Sequence, residues 1–232
     1  MQDSRNKILL SVNVVVGLVA IVLLIAWTTG PFFYHFAHTR LVNLYSYFQL
    51  FAIAFTSFLA CRILEKENSL KWHENPSARP FFISALGFLF LGLDDLLSIH
   101  ENIDKFIHLI LRIKETWLTD HIDDFILLSY GIIAVFFMKD FIREFKRHPY
   151  MLKLMIYGLT LFFIMFSLDF MTNNIETFEV FFKGMSWDDL RHWRDIYRMA
   201  EESFELLGEA FLLSAFIAAL VNIKQDKNKI RP

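Results

Sequence analysis

The sequence predicts an all-α fold, a polytopic integral membrane bundle of about six transmembrane helices with short interfacial helices on its outer side. Three observations carry this expectation. The 232 residues are 55% hydrophobic and 17% aromatic, with 27 Phe and a mean hydropathy of +0.40, which is too apolar for an ordinary soluble domain. Six stretches reach the roughly 20 apolar residues that a hydrocarbon core about 30 Å thick requires. Trp27, Trp72, Trp117, Trp187 and Trp193 all fall at or beyond the ends of these stretches, where an indole prefers the headgroup region.

The spans are read as 8–27, 43–64, 80–100, 122–142, 152–171 and 203–222, forming one domain over 1–232. The first follows Arg5 and Lys7 as a signal peptide would. Its apolar run is long, however, and ends in Trp27-Thr28-Thr29-Gly30-Pro31 without an Ala-x-Ala pattern, so it is expected to be retained. With the N-terminus inside, 15 of the 23 Lys and Arg residues fall on the inner side. The positive-inside bias therefore predicts a cell (inner) membrane protein with both termini cytoplasmic. Segments 101–121 and 185–202 alternate apolar and charged residues at helical spacing, which predicts interfacial helices on the outer side.

Several function classes fall away. A net charge of −2 and a pI near 6.4 offer no basic footprint for nucleic acid, and there is no phosphate-binding or dinucleotide-binding glycine loop. Cys61 is the single cysteine, so it makes no internal disulfide and reads as packing.

What stands out is an accumulation of acids and histidines at one depth. The third span ends in Asp94-Asp95-Leu96-Leu97-Ser98-Ile99-His100-Glu101, with Asp94 roughly 20 Å from the inner end. Asp94, Ser98, Glu101, Asp104 and His108 fall on one helical stripe, which predicts one polar face. The fourth span enters through Asp120-His121-Ile122-Asp123-Asp124, the fifth closes near Asp169, and the sixth helix carries Asp195, Arg198, Glu202, Glu205 and Glu209 along one face. Four helices thus bring acids or histidines to the same side.

An ionised acid within a span costs on the order of 2.5–3.5 kcal/mol unless water, pairing or a cation relieves it. A divalent cation relieves both that cost and the mutual repulsion of massed carboxylates. The expected metal ligands are Asp94, Asp95, His100, Glu101, Asp124, Asp169, Glu202, Glu205 and Glu209, a carboxylate and histidine set open to Zn, Fe, Mn, Mg or Ca. The competing reading for Asp94, Glu205 and Glu209 is ion pairing with Arg191, Arg194 or Arg198, or protonation within the bilayer. Asp104, Asp120, Asp188, Asp189 and Glu201 read as solvated charges.

Three functions follow: a metal-dependent hydrolase acting on a lipid or small membrane substrate, a divalent-cation or proton transporter, and a non-enzymatic cation-sensing or accessory subunit. The inner span halves offer only scattered polar residues such as Ser57, Ser84, Thr160 and Ser214, which favours a pocket over a through-path. In the hydrolase reading, a bound cation polarises an ester, amide or phosphoryl oxygen and activates water, while Glu101 or Glu205 is the catalytic general base. Membrane lipids are the expected partners.

The Ser98-Ile99-His100 element beside membrane acids is faintly similar to the alkaline ceramidase and adiponectin-receptor group of multi-span metal hydrolases. That group uses a histidine pair four residues apart on a late helix, where this chain has Glu202, Glu205 and Glu209, so it lacks the group's motif. Glu202-Ser203-Phe204-Glu205 likewise has the spacing of the di-iron Glu-x-x-His motif, with glutamate in place of histidine.

Overall fold

A computed structural model of the chain describes residues 2–29, 41–112, 135–172 and 175–230, together with Ser129 and Ile132. Every regular element among the described residues is a helix: α1 Gln2–Thr28, α2 Leu41–Asn68, α3 Arg79–Leu97, α4 Ile99–Leu111, α5 Met138–Arg147, α6 Pro149–Thr172, α7 Ile175–Phe181 and α8 Trp187–Ile230. Five of them, α1, α2, α3, α6 and α8, contain stretches long and apolar enough to cross a membrane. The expected fourth span, 122–142, lies mostly outside the described residues.

Large apolar side chains crowd the outer surface, among them Leu10, Leu24, Phe48, Phe55 and Phe163, each more than 60% exposed. Water would penalise that surface, whereas lipid tails are as apolar as the side chains themselves. Some hydroxyls within the spans bond to their own helix, as Thr28 does to Leu24 O and Thr160 to Ile156 O. This spares the polar group a desolvation cost.

The central element is α8, against which α1, α2 and α6 pack, while α3 packs on α2. The sequence suggests an interfacial helix over 185–202 followed by a separate span; the structure joins them into one helix of 44 residues. No Pro or Gly interrupts Trp187–Leu207, so nothing breaks the hydrogen-bond ladder. At about 65 Å, α8 is roughly twice as long as a hydrocarbon core is thick, and its charged N-terminal turns extend beyond the apolar zone.

Small residues set the close approaches. A Cβ on Gly158 of α6 would stand 2.9 Å from the Leu212 side chain and 3.0 Å from the Gly208 carbonyl oxygen, and one on Gly208 would stand 3.0 Å from the Phe162 ring. Lipid supplies little hydrophobic drive between helices, so backbone proximity and van der Waals contact hold this crossing. Below it, Phe81, Met151, Leu212 and Phe216 form the main core; Val19, Val42, Met199 and Leu206 form a second one toward α1.

Two local features depart from the sequence reading. The α3 helix does not run on through His100, because Ser98 adopts a left-handed conformation (φ 48°, ψ 48°) and α4 starts afresh at Ile99. The expected stripe of Asp94, Ser98, Glu101, Asp104 and His108 is therefore broken after its first member. Residues 138–142 belong not to the end of a span but to α5, whose charges dock on the α2–α3 loop. Arg79 pairs with Asp140 at 3.0 Å, Arg143 donates to Asp140 and to Pro76 O, and Arg147 and His148 flank the buried Glu144. A run with two basic and two acidic residues among seven, Lys139–Phe145, gains more from these pairs at the bundle end than hydrocarbon would return.

The Gly158–Gly208 crossing generates the first expectation. Gly158→Val will destabilise the detergent-purified protein by about 1–3 kcal/mol, visible as a lowered thermal midpoint. Gly17→Ala, where nothing lies within 4 Å, will leave the midpoint in place.

Candidate functional site

The acids sit on two faces that the fold brings toward one another. On α8, Glu202, Glu205 and Glu209 follow at intervals of three and four residues, so they form a column about 10 Å long descending into the bundle. Glu202 and Glu205 are half-buried, while Glu209 has no exposed surface. Asp95, half-buried on α3, acts electrostatically on all three.

The floor of the column is built by α2. Ser46 Oγ donates to Glu209 Oε1 at 2.7 Å, and Gln49 Nε2 reaches Glu209 Oε2 at 3.5 Å and Leu206 O at 3.4 Å. One strong neutral hydrogen bond and one long one hold a fully buried carboxyl group. The Tyr47 hydroxyl, hydrogen-bonded by Asn43, stands in the field of Asp95, Glu202 and Glu205. Two further acceptors, Gln49 Oε1 and Asn43 Oδ1, are buried without a hydrogen-bond partner among the described residues. Acceptors thus outnumber donors here, and their charge surplus is negative. Around Glu205 the acting charges are Glu202, Glu209, Asp95 and Glu201, all of its own sign; Arg198 opposes them at Glu202.

Asp94 is occupied differently. It is 1% exposed, and its carboxylate accepts the His100 backbone N–H at Oδ1 (2.9 Å) and faces His100 Nδ1 at Oδ2 (2.9 Å). It therefore caps the first turn of α4 and orients the imidazole at once. The left-handed Ser98 makes this possible by turning the chain back toward the preceding carboxylate. Farther along α4, His108 Nδ1 bonds to Asp104 O at 3.1 Å and stands 3.0 Å from Asp104 Oδ1, so the half-buried Asp104 is not simply a solvated charge.

At the upper end, Thr172 Oγ1 donates to Glu201 Oε2 at 2.8 Å and Arg194 Nε donates to Thr172 O at 2.6 Å, tying the end of α6 to α8. Trp27 Nε1 donates to Ser203 Oγ at 3.1 Å and ties α1 to the same level. Asp169 is half-buried on α6.

The nine residues expected as metal ligands are thus distributed. Asp95, Glu202, Glu205 and Glu209 share one electrostatic field; Asp94 and His100 form a separate pair. Asp124, its neighbours His121 and Asp123, and the Glu101 side chain lie outside the described residues. Among the described residues, no three His, Cys, Asp or Glu side chains converge closely enough to hold a metal ion. Sequence reasoning overlooked Asn43, Ser46, Tyr47 and Gln49. The signal was their recurrence at positions 43, 46 and 49 on an otherwise apolar span, a spacing that keeps them near one helical face.

The role of Asp94 can be read from stability. Asp94→Ala strands the His100 amide and will cost about 1–3 kcal/mol in chemical unfolding, with faster hydrogen exchange at the start of α4. Asp94→Asn keeps an acceptor for that amide and will cost less.

No curated protein and no solved structure matches the chain. A family match spans residues 14–220, covering the apolar helices and the acidic column together, and on that extent the chain belongs to DUF8692, a domain of unknown function.

Proposed function

We propose that this protein binds a divalent cation at the acidic column and works as a metal-dependent hydrolase on a lipid or another small membrane substrate. The observation that carries the cation is the surplus of acceptors. Four carboxyl groups, from Asp95, Glu202, Glu205 and Glu209, and the orphaned oxygens of Gln49 and Asn43 point to a positively charged guest. An oxygen-dominated set suits Ca, Mg or Mn better than Zn. Glu101 and Asp124 are the remaining expected ligands.

Hydrolysis is favoured by the Asp94–His100 pair one residue from Asp95. A buried carboxylate that fixes one imidazole nitrogen leaves the other aimed for ligation or proton transfer. A bound cation would polarise the scissile carbonyl or phosphoryl oxygen. Glu205, or Glu101 at the start of α4, would take the proton from the attacking water. The positive-inside bias puts this site at the outer leaflet, with both termini cytoplasmic.

A second reading, cation or proton transport, is favoured by the polar groups below Glu209. Ser57 on α2 and Ser214 on α8 are fully buried with hydroxyl oxygens that have no hydrogen-bond partner among the described residues. They extend the polar track from Gln49 and Glu209 into the apolar core.

Elemental analysis of detergent-purified protein separates these readings. The hydrolase predicts about one equivalent of a divalent metal, lost in the Glu202→Gln, Glu205→Gln double variant and kept in Glu179→Gln, whose residue is exposed on α7. Metal-dependent lipid cleavage should disappear with it. No metal in the wild type, with calcium and manganese titrations also silent, removes the metal site. Cation or proton uptake into liposomes that Glu209→Gln abolishes would then select transport.

A further inference from the structure

The opposite end of α2 carries a second site with different chemistry. Ser69 adopts a left-handed conformation (φ 53°) that ends the helix and folds Leu70 and Lys71 back beside its last turns. The result is a concavity of about 590 Å³ with two unlike walls. One wall is apolar, made by Leu59, Ile63 and the 44% exposed Leu70. The other is cationic, made by Arg62, Lys66 and Lys71.

The one acid in this wall is internally committed. Glu65 Oε2 pairs with Arg62 at 2.7 Å while Oε1 accepts the Trp72 backbone N–H at 2.9 Å, so the carboxylate pins the turn and offers nothing outward. The Arg62 side chain is still 64% exposed. Lys66 and Lys71 are exposed, and their ammonium groups form no ion pair among the described residues. Trp72, stacked on Phe82 at 4.2 Å, sits beside the pocket as an interfacial anchor.

We infer that this pocket binds one anionic phospholipid, its phosphate on Lys66, Lys71 and Arg62 and an acyl chain along Leu59 and Ile63. A soluble anion would use only the cationic wall, and a zwitterionic lipid would leave the charge unmatched. Both walls are met by a ligand whose charge sits at the end of a hydrocarbon chain, at the level where an apolar span ends.

Native mass spectrometry of the full chain in detergent tests this, with phosphatidylglycerol, phosphatidylcholine and glycerol phosphate as probes. Wild type should retain one phosphatidylglycerol in preference to phosphatidylcholine. Lys66→Gln with Lys71→Gln should weaken that binding about 30-fold, at roughly a factor of five for each cation. Lys139→Gln with Lys146→Gln, an equal charge change on α5, should stay within about twofold of wild type. Equal losses in both double variants would mean diffuse interfacial charge and overturn the site. Glycerol phosphate binding as tightly as the lipid would overturn the acyl-chain contact, and unchanged binding in the first variant would overturn the proposal outright.

Discussion

Glu209 has no exposed surface, and the hydroxyl of Ser46 stands 2.7 Å from its carboxyl oxygen. A carboxyl group in the middle of an apolar bundle tolerates little displacement from its donors, since losing them leaves a buried polar group unsatisfied at a cost of about 1–3 kcal/mol or more. That requirement sets the register of α2 against α8. Once Ser46 and Gln49 are level with Glu209, Tyr47 comes opposite Glu202 and Glu205, and α3, packed on α2, carries Asp95 into the same field. The depth of the whole acidic column thus depends on one buried contact.

The adjoining face of α8, roughly 100° round the helix from Glu209, obeys a different rule. Its packing against α6 uses absence of side chain: Gly158 and Gly208 let two backbones approach until each carbonyl is within contact of the other helix. One helix therefore combines a polar face fixed by hydrogen bonds with a small-residue face fixed by van der Waals contact. Both are needed because an apolar surrounding provides no net force to press helices together.

The two ends of the bundle differ in how they handle charge. At the α5 end, acids are matched with bases: Asp140 holds Arg79 and Arg143, and Glu144 holds Arg147 and His148. At the column, the carboxyls of Glu202, Glu205 and Glu209 face mainly charges of their own sign. Matched charge stabilises a loop junction, whereas like charges massed in an apolar bundle carry the cost that the proposed cation would relieve. This contrast separates structural acids from candidate functional ones more sharply than composition does.

The apolar stretches, the amphipathic character of the charged segments and the spacing of Glu202, Glu205 and Glu209 were legible in the sequence, because hydropathy and helical periodicity are local properties. So was the convergence of Asp95 with these glutamates on one side, since antiparallel spans of similar length bring their matching ends together. Tertiary structure alone decided the rest. The break at Ser98 is coupled to Asp94 finding the His100 amide and imidazole, whereas the merging of 185–202 with the last span has a local cause that was legible, the absence of Pro and Gly from Trp187–Leu207. The pairing of Asn43, Ser46 and Gln49 with the column depends on which face of α2 meets α8. Periodicity places a residue on a face of its own helix; only packing between helices, settled by glycine contacts and buried hydrogen bonds, determines what that face meets.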